Sequence, residues 1–184
     1  MRAIKRINNN YVLCISKDQK EFVARGRGIG FREFPYELSI CEVERTYYGV
    51  APAFYSLINE IDEVFLEIAT NILDQANRES SEPYATNAIF TLADHLSFAV
   101  DRHKKAIKIR LPIIYDIAYL YEKEYAIGQY GLDLIRKQLG VWLPDEEAAY
   151  IAVHLVNSKF RQTTQEISDL SLIHISEPTR LRRI

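Results

Sequence analysis

Residues 23–31 read VARGRGIGF. The fold of the head of the chain turns on whether this stretch is a phosphate cradle or a connection between strands. A dinucleotide fingerprint spaces its glycines G-x-G-x-x-G, behind a strand and at the start of a helix. Here they are Gly26, Gly28 and Gly30, so the third comes one residue early. A phosphate loop needs Gly-Lys-Ser/Thr, which is absent. Pro35 and mixed charges over Phe31–Tyr36 deny the stretch a following helix. A glycine-rich hairpin connection is the plain reading, since glycine tolerates positive φ and admits a second backbone. It leaves the two arginines, Arg25 and Arg27, unexplained.

Outward from this loop the head reads as strands. Ala3–Ile7, Tyr11–Ile15 and Glu21–Arg25 are β-prone runs. Asn8-Asn9-Asn10 marks a turn, because asparagine tolerates left-handed backbone and bonds its own main chain. Ser16–Lys20 is a polar turn, and the loose alternation of Ile40–Tyr48 predicts a fourth strand. Four strands in so short a segment make a marginal sheet with a small core. Such a head is expected to need a partner, most simply a second copy of itself.

Charge separates head from body. Residues 1–32 hold eight Lys/Arg against two acids, a net of +6, so the rest carries −8 to reach the chain's −2. A basic head on an acidic body suits an anionic partner, nucleic acid being the commonest, although a solvated basic surface would look the same. The 184 residues, 48% hydrophobic, suffice for one good core or two small ones. No apolar run is long enough to span a membrane, and the start has no secretory h-region. Cys14 and Cys41 fit no metal spacing and read as reduced thiols of a cytoplasmic protein. Neither a metal nor a cofactor is expected.

Beyond Gly49–Pro52 the period becomes helical. Phe54, Leu57, Ile58 and Ile61 fall at i, i+3, i+4, i+7, and Val64, Phe65, Ile68, Ile72 and Leu73 continue the pattern. Further helices are predicted over 84–100, 111–124, 128–139 and 145–160. In the last, Asp145 follows Pro144 as an N-cap, and Glu146 and Glu147 complement the helix dipole. The expectation is an α+β multidomain chain, a small antiparallel β-sheet domain over residues 1–52 and an all-α bundle of about five helices over 53–165.

The bundle carries three histidines. His103 lies in the charged run DRHKK and reads as solvated surface. His95 and His154 each sit beside a leucine near the buried face of a predicted helix. Zinc would want partners at helical spacing, and neither has a His, Cys or Glu four residues away. A hydrolase would need a nucleophile, and no G-x-S-x-G elbow exists. Two readings stay open: structural histidines at a bundle seam, or phosphoacceptors whose new charge shifts packing. Arg102, seven residues after His95 on the same face, would suit the second as a counter-charge.

These residues together bring a resemblance into view. MRAIKRINNNYVL and EFVARGRGIGF, through Lys5, Asn8-Asn9-Asn10, Gly26-Arg27-Gly28 and Phe31, resemble the RNA-binding co-antiterminator domain of BglG-type transcriptional antiterminators. LADHLSFAVDR, EYAIGQYGLDLI and LPDEEAAYIAVHLVN resemble the first phosphotransferase-system regulation domain of that family. The resemblance implies a regulator rather than an enzyme. Such a protein binds an mRNA leader stem-loop that overlaps a terminator and lets polymerase read into a sugar-utilisation operon. It implies a homodimer, phosphorylation of His95 and His154, and as partners a sugar-specific transporter and the general phosphocarrier protein. Lys5, Asn10, Gly26, Arg27, Gly28 and Phe31 are the expected RNA contacts. A DNA-binding activator with the same regulation domain is the alternative, and it would need a helix-turn-helix head.

Residues 170–180, LSLIHISEPTR, resemble a translated transposase end and sequencing adapter. We expect residues 170–184 to be read-through rather than native, and set His174 aside with them. A second regulation domain is expected in the natural protein.

Overall fold

The computed structural model describes residues 1–107 and 113–159. Its head is a five-stranded antiparallel sheet: β1 (Arg2–Arg6), β2 (Tyr11–Ile15), β3 (Glu21–Arg25), β4 (Tyr36–Glu37) and β5 (Arg45–Tyr48), in the order β4-β1-β2-β3-β5. Six helices follow among the described residues: α1 (Ala53–Glu60), α2 (Glu63–Glu79), α3 (Ala88–Lys104), α4 (Ile114–Leu120), α5 (Glu122–Leu139) and α6 (residues 146–159). The architecture is the one expected, a small sheet followed by an all-α bundle.

The apolar run of β2 explains how the sheet is used. Tyr11, Val12, Leu13 and Cys14 are all buried, so both faces of this central strand are covered. Tyr11, Leu13, Val23 and Tyr47 form one face and share a continuous core with Ile58 of α1, Phe65 of α2 and Phe90 of α3. Ala3, Val12, Cys14, Phe22 and Ala24 form the other, closed by Ile29, Leu38, Phe34, Tyr36 and Val43. The sheet expected to need a second copy as cover is covered here by its own chain. Polar ties fix the docking. Arg45 donates to both carboxylate oxygens of Asp74 at 2.7 and 2.6 Å, and Asn8 Nδ2 donates to the Ile58 carbonyl at 3.0 Å.

The structure departs from the expected elements in three places. The predicted strand over Ile40–Tyr48 begins only at Arg45; Ile40–Glu42 is a 3-10 turn. Ser39 and Glu42 form a capping box, which fixes the turn against the β-propensity of the flanking residues. The segment around Phe34–Tyr36, for which the sequence suggested no element, supplies β4 and the cover for the second sheet face. The helices predicted over 111–124 and 128–139 are instead α4 and the longer α5, with Gly128 in its interior. A Cβ there would sit 2.2 Å from the Ala148 carbonyl oxygen, so the glycine serves close packing of α5 on α6 rather than a helix start. α5 stops at Gly140, which takes the left-handed cap conformation with φ 67°. Phe160, residues 111–112, the tail from 170 and His174 lie outside the described residues.

Candidate nucleic-acid interface and histidine cluster

The asparagine turn and the glycine loop form one object. Asn8 Oδ1 accepts from the backbone N–H of Asn10 and of Tyr11, both at 2.9 Å, closing the turn between β1 and β2. The glycine loop is laced onto this turn. Gly26 N–H donates to the Asn10 carbonyl and Gly30 N–H to the Asn9 carbonyl, each at 2.9 Å. Gly28 N–H donates to Asn10 Oδ1 at 2.7 Å. From beneath, the Tyr36 hydroxyl donates to the Ile29 carbonyl at 2.5 Å.

This lacing brings five of the six expected contact residues together: Asn10, Gly26, Arg27, Gly28 and Phe31. Gly28 has φ 71°, a left-handed turn position. Gly26 is buried, and a Cβ on it would sit 2.1 Å from the Glu42 carbonyl oxygen, so close packing alone demands glycine there. Arg27 points to solvent, and Phe31 is 70% exposed. Lys5 is exposed on β1, apart from the laced turns.

Two residues at this surface, Arg6 and Glu63, had no sequence signal as contacts. The Arg6 guanidinium lies 5.9 Å from the Phe31 ring centroid and also donates to Asn9 Oδ1. Glu63, the first residue of α2, accepts from Asn10 Nδ2 and from Arg25 Nη2, the latter at 3.3 Å. Arg25 is thereby accounted for, since it also approaches Glu44 at 3.6 Å and serves the sheet–helix junction. Only contacts across the fold place Glu63 here.

In the bundle, α3 and α6 bring the two flagged histidines face to face. The His95 and His154 ring centroids are 4.7 Å apart, with Tyr150 5.7 Å from His95. Glu147, read from the sequence as a dipole complement, is instead buried. One carboxylate oxygen accepts from Arg102 Nη2, and the other lies 3.5 Å from His95 Nε2, an ion-pair approach longer than a good hydrogen bond. Burial alone would raise this carboxyl; the facing His95 nitrogen and the Arg102 guanidinium outweigh it and hold the group below the usual carboxylate range. His103 is exposed, as expected. Among the described residues no group of three or more His, Cys, Asp or Glu side chains is arranged to hold a metal ion, and no helix is long and apolar enough to cross a membrane.

Two family models match the chain: the CAT RNA binding domain over residues 1–49, and the PRD domain over 70–158. The chain joins a CAT RNA binding domain to a PRD domain. Among antiterminator relatives, the beta-glucoside operon antiterminator of Dickeya chrysanthemi is 30% identical over 94% of this chain and 63% of that protein. The transcription antiterminator LicT of Bacillus subtilis is 27% identical over 94% of this chain and 64% of its own length. The chain thus spans just under two thirds of these relatives. The crystal structure of GlcT CAT-PRDI aligns with TM-score 0.71 at 22% identity, covering 85% of this chain and 97% of that one, a likeness of fold. The asparagine turn and glycine loop lie within the CAT match, and both histidines within the PRD match.

Proposed function

We propose that this chain is a transcriptional antiterminator that binds an mRNA stem-loop overlapping a terminator, so that transcription continues into a sugar-utilisation operon. Histidine phosphorylation by the sugar phosphotransferase system would set its activity. The observation that carries the reading is the pair of laced turns presenting Asn10, Arg27, Gly28 and Phe31 on a basic sheet domain. RNA helices offer a wide, shallow minor groove with 2′-hydroxyls, and internal loops expose unstacked bases. Phe31 is a stacking platform worth about 1–3 kcal/mol per base. Arg27 supplies a planar fork for base or phosphate acceptors. Gly28, with no Cβ, lets the backbone approach the groove, and Lys5 neutralises a phosphate. Asn10 reads a base or sugar edge through the second Nδ2 hydrogen, because its oxygen is held by Gly28 and the first hydrogen by Glu63.

His95 and His154 are the phosphoacceptors in this reading. A sugar-specific transporter and the general phosphocarrier protein are the donors, and a cytoplasmic homodimer is the working form. The proposed division is an RNA-binding domain over 1–52 and a regulation domain over 53–165. The DNA-binding alternative is disfavoured by a head built of five strands rather than a helix-turn-helix.

The test titrates the full chain with a stem-loop carrying two internal loops, a fully paired stem and duplex DNA, across a salt series. Selective binding to the stem-loop, lost in Arg27→Ala and Phe31→Ala, is the expected result. Equal binding to all three that vanishes with salt would reduce the surface to a generic basic patch.

A further inference from the structure

The histidine cluster is built from two helices, each supplying a histidine and a charged residue seven positions apart. α3 gives His95 and Arg102, and α6 gives Glu147 and His154. The helices run antiparallel across this seam, so His95 lies against His154 while Arg102 meets Glu147. Arg102 is 7% exposed and Glu147 5%, and Arg102 is the buried cation among the described residues. Two polar atoms here, His95 Nε2 and Glu147 Oε2, are buried and face each other without a hydrogen bond. The cluster reaches the surface on two sides. His154 borders a groove of about 560 Å3 beside Gly49 and Asn87. Arg102 and Glu147 border another of about 590 Å3 beside Trp142 and Pro144.

We propose that this cluster is a one-phosphate site. His95 and His154 share a single phosphoryl position, with Arg102 as its counter-ion, and Glu147 stands in for the phosphoryl group while the histidines are unmodified. The inference rests on the phosphoacceptor reading above and goes beyond it in stating occupancy and naming two positioning residues.

The charge balance is the reason. A phosphoryl group on an imidazole brings about −1.5 to −2 charge and three acceptor oxygens. Placed between rings whose centroids are 4.7 Å apart, it meets the Glu147 carboxylate at once. Like charges in a poorly hydrated space repel strongly. The carboxylate must leave, and its Arg102 fork is the donor that the phosphoryl oxygens take over. A second phosphoryl group on the facing ring would put two such charges within a few ångströms, with Arg102 to share between them. The chemical step is a transfer. The lone pair of one ring nitrogen attacks phosphorus, the N–P bond forms, and the donor's own N–P bond breaks with the pair returning to the donor nitrogen. With a phosphohistidine carrier the leaving group is imidazole. With phosphoramidate it is ammonia, protonated by solvent.

The experiment incubates the full chain with phosphoramidate at mildly alkaline pH, where phosphohistidine survives. Intact-mass spectrometry counts the phosphates, and fragmentation locates them. The expected ceiling is one phosphate per chain over positions 95 and 154 together, shared between them. His95→Ala and His154→Ala each still accept one, and Glu147→Gln is phosphorylated several-fold faster. Chains bearing phosphate on both histidines at once would overturn the one-phosphate inference and leave the phosphoacceptor reading standing. Absence of phosphate from both positions would overturn the reading itself, and the inference with it. The wild-type count needs no variant to fold, so it decides the matter even where a histidine substitution unfolds the bundle.

Discussion

Replacing Gly30 by alanine sets two physical effects of opposite sign against each other. Gly30 is not in the left-handed region, which among the glycines holds Gly28, Gly49 and Gly140. On backbone freedom alone, alanine would stabilise the chain by about 0.4–1 kcal/mol by restricting the unfolded state. Sterics decide the sign. A Cβ at Gly30 would lie 2.0 Å from the Asn8 carbonyl oxygen and 3.0 Å from the Asn8 and Asn9 carbonyl carbons. These are backbone atoms of a closed turn and have no rotamer in which to retreat. Separating the two turns strains or breaks Gly30 N–H to Asn9, Gly26 N–H to Asn10 and Gly28 N–H to Asn10 Oδ1. At about 1 kcal/mol each, three bonds outweigh the entropy gain and leave a net loss of about 2–3 kcal/mol. With a urea m-value of about 2 kcal/mol/M, the midpoint falls by about 1 M or slightly more. Gly49→Ala is the control. Gly49 has φ 69°, and a methyl group added there would find nothing within 4 Å, so its cost is the left-handed strain of about 1–2 kcal/mol. Urea unfolding followed by circular dichroism gives both midpoints, and a stem-loop titration gives both affinities. Gly30→Ala should lose more stability than Gly49→Ala and also lose RNA binding, which Gly49→Ala keeps. A Gly30→Ala chain as stable as wild type, or more so, would refute the steric reasoning and with it the claim that the two turns are one unit.

Three further outcomes are expected. Arg45 holds the Asp74 carboxyl below the usual carboxylate range by hydrogen bonding, against the opposing effect of burial. Because the folded value is depressed, the stabilisation is fully present above the unfolded value of about 3.9 and is lost as pH falls through the folded one. Both side chains are 34% exposed, so screening limits the pair to about 1 kcal/mol. Unfolding midpoints of wild type and Asp74→Asn should therefore differ by a constant amount above about pH 5 and converge in acid; a gap that widens in acid would contradict this. Glu63→Gln weakens the hold on Asn10 and Arg25 and removes a negative charge beside the basic surface, so stem-loop affinity should rise about two- to fivefold at low salt and the gain should fade at high salt. Unchanged affinity at low salt would remove Glu63 from the account. In α5, alanine at either glycine gains about 1 kcal/mol of helix propensity, yet the two should diverge in melting temperature. Gly128→Ala meets the Ala148 backbone at 2.2 Å and must push α6 away, whereas Gly131→Ala meets only the side-chain tips of Ile72 and Ile151 at 2.8 and 3.0 Å. Equal melting temperatures would sink this distinction.

What the sequence disclosed followed from local rules. β1, β2 and β3 were legible because apolar runs are bounded by asparagine and serine turns. The strand expected over Ile40–Tyr48 is too long because Ser39-x-x-Glu42, a local signal too, overrides the alternation around it. Gly128 misled for a different reason. Its cause is the Ala148 carbonyl from another helix, and no spacing along the chain announces that. The site divides the same way. Asn10, Arg27 and Phe31 lie in recognisable motifs, but Glu63 reaches Asn10 only through the docking of α2 on the sheet. The histidines were legible as half-buried, whereas their mutual approach and the Glu147–Arg102 pair depend on how α3 packs against α6.

That packing also gives the two functional regions a shared part. α3 carries Phe90, whose ring is 5.5 Å from Tyr47 of β5, and Tyr47 stacks on Tyr11, the residue after Asn10. The same helix carries His95 and Arg102. At about 1.5 Å rise per residue, Phe90 and His95 are only about 7–8 Å apart along one rigid rod. A charge placed at His95 would therefore sit on the element that covers the sheet beneath the asparagine turn. Aromatic contacts of this kind contribute about 0.5–1.5 kcal/mol each beyond their buried area. Coupling between sites in proteins typically amounts to about 1–3 kcal/mol, so rearranging one or two such contacts matches its scale. The polar ties Asn8–Ile58 and Asn10–Glu63 join the turn to α1 and α2 in parallel with this aromatic path. On the proposed phosphoacceptor reading, a phosphoryl group that displaced Glu147 from Arg102 would change the balance of forces on α3 from its far end, and the Phe90–Tyr47–Tyr11 stack would be the route to the turn that presents Asn10.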